Sequence, residues 1–288
     1  MFEQLGLIGC GLMGGSFALA LKKSGLVKRV VGYSKSPSTT ERARQLGVID
    51  VEAPSALLAV SGADIVLVAV PVAATEATFK AMRHLITNKT LVMDVGSTKR
   101  DVVEAARRSL GQQLGAFVPA HPIAGKEMAG VEHADAELYR GKQVILTPIE
   151  RTLTQQLRQA EQVWTALGCR VKQMSPDAHD AAYAAVSHLP HLLAFAYMNG
   201  LMAQGHAAEY LQLAGTGFRD FSRIAASDPK VWRDIFAANK DELLLQSQHF
   251  RQALQAFEQA IASGQLEALT GQIAQASQAR ACWTPPES

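Results

Sequence analysis

The sequence predicts an α/β protein: a Rossmann-type, doubly wound parallel sheet at the N-terminus, then an all-α C-terminal domain. Three observations predict it. Short apolar runs alternate with helical patterns through the first half, a glycine-rich turn joins the first run to the first helix, and strand signals stop near Asp177. Strands that alternate with helices form parallel sheets covered on both faces.

The strands are expected at Leu5 to Ile8, Arg29 to Tyr33, Ile65 to Val70, Leu91 to Asp94, Phe117 to Ala120 and Val144 to Thr147. Several are apolar at every position, as strands buried on both faces must be. Between them, Ser16 to Ser24, Thr75 to Leu85 and Arg100 to Leu110 read as helices. Beyond Asp177 the chain becomes rich in alanine and leucine at helical spacing. Asp228 and Pro229 read as the cap and first residue of a helix that could run to Ser263-Gly264. Leu192 to Met202 is apolar nearly all round, which requires burial in a core or a subunit interface. The domain boundary is placed at Ser175-Pro176, giving a dinucleotide-binding domain over 1–175 and a helical domain over 176–288.

The 288 residues are 48% hydrophobic with a net charge of +2, which offers nothing to a polyanion, so no nucleic-acid partner is expected. Cys10, Cys169 and Cys282 are odd in number and widely spaced, so they read as free thiols in a reducing compartment. No signal peptide precedes the first strand pattern, and the apolar run Ala63 to Ala74 is short and broken by Pro71. A cytoplasmic protein without a membrane partner is expected.

Gly9-Cys10-Gly11-Leu12-Met13-Gly14 is a GxGxxG run between a strand and a helix, the context of a dinucleotide-binding loop. Gly9 permits the tight turn, Gly11 leaves room for a pyrophosphate, and Gly14 lets the helix pack close to the strand. Gly9, Gly11, Leu12, Met13 and Gly14 are the expected cofactor contacts, with the helix N-terminus facing the phosphates. Where NAD-binding proteins carry an acid at the end of the second strand, this chain has Ser34-Lys35-Ser36 and then Thr39. A carboxylate would repel a 2′-phosphate, whereas hydroxyls and an ammonium bind it, so NADP is favoured and NAD remains possible.

Three more segments fall where an open α/β sheet places ligands. They are Asp94-Val95-Gly96-Ser97-Thr98-Lys99, then His121-Pro122-Ile123-Ala124-Gly125-Lys126-Glu127, then Ser187-His188-Leu189-Pro190-His191 with Gly217 to Ala225. In this order, Asp-x-Gly-Ser-x-Lys, His-Pro-x-x-Gly-x-Glu, Ser-His-Leu-Pro-His and Arg-Asp-Phe-Ser-Arg-Ile-Ala resemble the prephenate/arogenate (cyclohexadienyl) dehydrogenases of tyrosine biosynthesis. The resemblance covers Leu5 to roughly Asp241. It implies oxidative decarboxylation of a cyclohexadienol, with hydride passing from ring C4 to the nicotinamide while the C1 carboxylate leaves as CO2. It also implies a helical dimerisation domain, hence a homodimer, with no room for a fused chorismate mutase or regulatory domain.

By the same resemblance, His121 bonds the C4 hydroxyl and draws off its proton, a task that suits imidazole. Ser97 bridges substrate hydroxyl and nicotinamide. Arg223, with Arg219 second, holds a substrate carboxylate, for which guanidinium offers a planar fork. His188 and His191 line the pocket where the domains meet. Neither a cysteine nor an acidic cluster stands beside them, so no metal site is expected. Asp220 reaches toward the neighbouring subunit's pocket. Lys126 departs from the small or neutral residue that many relatives carry. Lys126 would attract the side-chain carboxylate and Glu127 the ammonium of arogenate, which leaves prephenate and arogenate both open.

Two rival readings make different demands. A β-hydroxyacid or imine reductase of the same build needs a lysine early in the helical domain, and none occurs from Gln173 through Phe221. A non-enzymatic NADP sensor needs the glycine loop but not His121, Ser97 and Arg223 together.

Overall fold

β1 (Phe2–Ile8) lies inside a six-stranded, wholly parallel sheet in a computed structural model that describes residues 1–126 and 128–284. The strand order is β3 (Val51–Glu52), β2 (Val27–Tyr33), β1, β4 (Ile65–Val68), β5 (Leu91–Asp94), β6 (Phe117–Val118). The order reverses between β1 and β4, and that reversal opens the ligand crevice of a Rossmann sheet at the carboxyl ends of its strands. Successive side chains point to opposite faces. Leu5, Leu7, Ile65 and Leu67 enter one apolar core, while Ile8, Val66 and Val68 enter the other. Both faces are therefore buried, under α1 (Leu12–Lys23), α2 (Pro37–Gln45), α3 (Ala56–Ala59), α4 (Thr75–Met82), α5 (Arg100–Leu110) and α6 (Thr154–Ala166).

The expected strand Phe117 to Ala120 is two strands. Pro119, which has no amide hydrogen to donate, separates β6 from β7 (Ala120–Pro122), and β7 leaves the main sheet. It pairs antiparallel with β8 (Gln143–Leu146), which pairs parallel with β9 (Arg170–Gln173). His121 thus sits within a strand, opposite Ile145, and not in a loop after one. The short β3 and the polar β9 escape a reading based on apolar runs. The strand expected to reach Val70 ends at Val68, and α1 starts at Leu12 instead of Ser16, directly on the glycine loop.

Past β9, α7 (Pro176–Tyr183) opens with the Ser175 hydroxyl accepting the Ala178 amide. A π-helical turn, Ala184–His188, leads into α8 (Leu189–Met202), with Pro190 in its first turn. Pro190 cannot supply a helical amide hydrogen and crowds the preceding turn, and the wider turn accommodates it. Then come α9 (Ala207–Gln212), α10 (Thr216–Ser222), a 3-10 turn Arg223–Ala226, α11 (Pro229–Ala238), α12 (Lys240–Ala262) and α13 (Leu266–Cys282). Asp228 caps α11 as expected, accepting the Lys230 and Val231 amides. The helix does not continue to Ser263-Gly264: it breaks at Asn239, whose side chain is buried in the contact with α7. Of α8, only Ala194 is buried within the chain, so the apolar Leu192 to Met202 segment is not core.

Among the described residues no helix is long and apolar enough to cross a membrane. Cys10 and Cys169 are buried free thiols, and Cys282 is an exposed one.

Candidate active site

The glycine loop follows β1 into the crevice. Gly9 has φ +97°, and a Cβ there would lie 2.2 Å from the Ala69 carbonyl oxygen. A Cβ on Gly14 would lie 2.1 Å from the Gly9 carbonyl oxygen and 2.9 Å from Leu7, so the helix packs at a distance only glycine allows. At Gly11 a Cβ would meet nothing within 4 Å. That open space stands before the first turn of α1, where Leu12 and Met13 lie and no side chain caps the amides. A helix N-terminus with free amides and room in front of it fits a dinucleotide pyrophosphate.

The end of β2 is laced to this loop. The Cys10 amide donates to Ser34 Oγ at 2.8 Å, and the Ser34 amide donates to Thr40 Oγ1 at 3.0 Å. Ser34 Oγ therefore braces the loop through the Cys10 backbone, and its hydroxyl also bonds the Cys10 thiol. Lys35 is exposed, Ser36 shares a hydroxyl bond with Ser38 at 2.8 Å, and Thr39 lies in the first turn of α2. These side chains share one end of β2 and the start of α2.

At the far side of the crevice, Asp94 ends β5 and Lys99 closes the loop that carries Ser97. Both are buried and bonded to each other. Asp94 accepts the Ala120 amide at 2.9 Å and Lys99 donates to the Ala120 carbonyl at 2.8 Å. The pair grips both backbone groups of the residue before His121. Sequence reasoning took this motif as a marker and gave a role only to Ser97. A buried ion pair between the motif's two ends has no sequence signature beyond their spacing.

His121 Nδ1 lies 2.8 Å from His179 Nε2, and His179 Nδ1 lies 2.8 Å from Asp180 Oδ1. Asp180 also accepts the Lys99 amide at 2.8 Å and the Arg100 amide at 2.9 Å, which ties α7 to the start of α5. Tyr183, one turn further along α7, places its ring edge-on to His121 with centroids 4.9 Å apart. Burial, with the charges of His179, Lys99 and His188 behind it, holds His121 well below the ordinary imidazole range. Burial lowers His179 too, against an opposing pull from Asp180. Burial disfavours the Asp180 carboxylate, but bonds from His179 and the Arg100 and Lys99 amides outweigh it and keep the group ionised. His179, Asp180 and Tyr183 were missed by sequence reasoning. An adjacent His-Asp pair near the start of the helical half was the only available signal.

The predicted helical-half residues divide into two groups. His188 is buried, with Nδ1 3.1 Å from Asn239 Nδ2 and a further bond to the Ser97 backbone. It supports the Ser97 loop from behind. His191 stacks on Trp232 with ring centroids 3.5 Å apart, bonds the Ser187 carbonyl at 2.9 Å and feels the charge of Arg223. Arg219 and Asp220 are exposed and pair with each other at 3.3 Å. Lys126 reaches Asp135 at 3.1 Å and the His133 carbonyl at 3.3 Å, so its ammonium is already engaged within the sheet half. Glu127 lies outside the described residues.

The family model described as the prephenate dehydrogenase nucleotide-binding domain matches residues 17–173, and its dimerization-domain companion matches 175–275. The chain belongs to the prephenate dehydrogenase family. A prephenate dehydrogenase of Bacillus subtilis is 38% identical over 250 residues, covering 85% of this chain and 66% of that protein. A cyclohexadienyl dehydrogenase of Zymomonas mobilis is 34% identical, covering 91% of this chain and 90% of its own length. Among solved structures, prephenate dehydrogenase of Aquifex aeolicus in complex with hydroxyphenyl propionate and NAD+ superimposes with a TM-score of 0.90 at 36% identity, covering 97% of each chain. Synechocystis arogenate dehydrogenase gives 0.83 at 27% identity, covering 98% of this chain and all of its own. As in this family, the nucleotide-binding half is a Rossmann sheet and the other half is helical.

Proposed function

We propose that this member of the prephenate dehydrogenase family uses NADP ahead of NAD and that His121 is its proton acceptor. The reaction is the oxidative decarboxylation of prephenate or arogenate. When bound, a nicotinamide cofactor supplies the hydride acceptor; positioning and proton removal fall to this chain's residues. What supports the reading is that the glycine loop follows β1, the Ser97 loop follows β5, and a half-buried, neutral His121 is held beside the Ser97 loop by the Asp94–Lys99 clamp on Ala120. A neutral imidazole can take the C4 hydroxyl proton as the hydride leaves, and Ser97 orients that hydroxyl. Arg223, whose charge acts on His191, is assigned the substrate carboxylate from the helical half, with Arg219 as second cation. Lys126 and Glu127 bear on the choice between the keto and ammonium side chains. Asp220 is assigned to the rim that faces a second subunit.

The NADP preference rests on Ser34, Lys35, Ser36 and Thr39, which place hydroxyls and an ammonium and no carboxylate at the end of β2. The Aquifex relative binds NAD+, so the preference is a property of this loop and not of the family. We divide the domains at Ser175, place the protein in the cytoplasm and assemble it as a homodimer through the helical half. The test is absorbance at 340 nm with prephenate or arogenate and NAD or NADP. Wild type should show a higher kcat/KM with NADP, and Ser34→Asp should flatten or reverse that preference by placing a carboxylate beside the 2′-phosphate. Equal use of both cofactors by wild type defeats the assignment.

A further inference from the structure

His121 does not stand alone: its ring is the outer member of a line His121–His179–Asp180 with both links at 2.8 Å. The hydrogen positions in that line follow from donor counting. Asp180 already accepts two backbone amides, from Lys99 and Arg100, and a carboxylate can only accept. His179 Nδ1 must then carry the hydrogen toward Asp180. In neutral His179 this leaves Nε2 as an acceptor, so His121 Nδ1 must be the donor to it. The remaining nitrogen of His121, Nε2, carries the lone pair.

Resting on the assignment of His121 as proton acceptor, we propose that His179 and Asp180 are positioning residues that fix His121 in this tautomer and take over the positive charge formed there. As the C4 hydroxyl O–H bond breaks, its proton bonds to His121 Nε2. The Nδ1–H of His121 passes to His179 Nε2, while His179 Nδ1–H stays bonded to Asp180. The charge then rests on His179 beside the Asp180 carboxylate, one ring away from the departing hydride. No proton is gained or lost by the line beyond the one taken from substrate.

The surroundings suit this transfer from every side. The Ser97–Lys99 loop contributes the Lys99 ammonium, neutralised by Asp94, and α5 contributes the Arg100 amide and guanidinium. The π turn contributes His188, α7 contributes Tyr183, and Asn239 donates to the Asp180 carbonyl at 2.8 Å. Asp180 is the carboxylate bonded to the His179 ring, and the Asp94 carboxylate acts on His179 from a greater distance. Burial lowers both imidazoles, so the pair is neutral and ready to accept when substrate binds.

Three variants and one spectrum test the relay. His179→Gln sets an amide oxygen near the place of Nε2, which can hold the His121 tautomer but cannot take a proton. Asp180→Asn removes the charge with little change of shape. Each should lower kcat on the order of 10²–10⁴-fold and move prephenate KM by less than about threefold, with cofactor affinity unchanged. In Asp180→Asn the acid limb of kcat/KM should also shift to lower pH, because the protonated pair has lost its counter-charge. A purely structural Asp180 would not move that limb. In wild type, 15N resonances of His121, assigned by their loss in His121→Asn, should show the Nδ1–H tautomer. The Nε2–H tautomer overturns the proposal without any variant of His179 or Asp180. If His121→Asn keeps wild-type kcat, the assignment of His121 itself fails. If His121→Asn is inactive while His179→Gln and Asp180→Asn keep wild-type kcat and acid limb, the relay alone is overturned.

Discussion

At the scale of single residues, the site works by exhausting hydrogen-bonding capacity. Asp94 and Lys99 spend theirs on each other and on the backbone of Ala120, which leaves the next residue, His121, little freedom to shift. Breaking such a buried pair by removing one partner costs about 3–5 kcal/mol, so the clamp is a stability element as well as a positioning one. Arg223 differs in setting, an exposed residue at the start of the 3-10 turn that we propose meets a substrate carboxylate. Arg223→Ala should lower kcat/KM for substrate by about 30- to 1000-fold, or ~2–4 kcal/mol, mostly in KM, and leave NADP affinity near wild type. Arg223→Lys should recover part, since an ammonium cannot form two parallel bonds. Fluorescence titration of NADP and substrate kinetics on the same protein give the answer. A collapse of NADP affinity with unchanged substrate KM would move Arg223 to the cofactor site.

At the scale of elements, α7, the π turn and the break at Asn239 form one joint between the halves. Asn239 donates to the Asp180 carbonyl and meets His188, and Arg100 reaches from α5 to Glu242 on α12 at 2.9 Å. His188 at the centre of this joint is nearly inaccessible, and burial pushes its pKa down to about 4. In the unfolded chain the ordinary value of 6.5 returns. Between the two values the unfolded state binds the proton and the folded state does not, so stability falls as pH falls from 6.5 toward 4. The loss reaches about 2 kcal/mol near pH 5. His121 and His179 are shifted in the same direction and add to it. Asp180 is depressed from its ordinary 3.8, so its contribution is intact in this window and is lost only at lower pH. Melting temperature should therefore drop on going from pH 7 to pH 5, and the drop should shrink in His188→Gln. A flat profile in wild type would mean that His188 protonates without disturbing the joint.

At the scale of the molecule, the two halves are built differently. The sheet half buries two large apolar clusters, whereas α13 buries no residue within the chain and α12 only Leu243 and Ala260. Leu213, Leu244, Ile261 and Leu266 are more than half exposed, as is Met202 at the end of α8. A helical domain that leaves this much apolar surface uncovered finds its core in a second copy, and a twofold interface is the commonest way. Light scattering should give twice the mass of one chain at micromolar concentration, with unfolding that depends on protein concentration. A stable monomer there would contradict the assembly.

The sequence by itself determined the features that repeat locally. Gly9, Gly11 and Gly14 announce their loop because their spacing is local: Gly9 takes a positive φ, Gly14 packs against the Gly9 carbonyl, and Gly11 leaves open space before the helix. Continuous apolar runs announce buried strands, and Asp228-Pro229 announces a helix start because cap and helix are neighbours. The motifs around Ser97, His121, His188 and Arg223 were legible for the same reason, as short runs of chemistry-bearing residues. Tertiary structure alone decided what lies far apart in the chain. The bond from His121 to His179 spans 58 positions, and the bond from the Lys99 amide to Asp180 spans 81. The departure of β7 from the main sheet depends on which strand edge is free to receive it, and the break at Asn239 goes with a side-chain bond to the Asp180 carbonyl in α7. Neither requirement is written near the residues that meet it. A helix pattern reports only which face is apolar, so it showed that Leu192 to Met202 must be covered; only the folded chain showed that its own residues leave most of that face open.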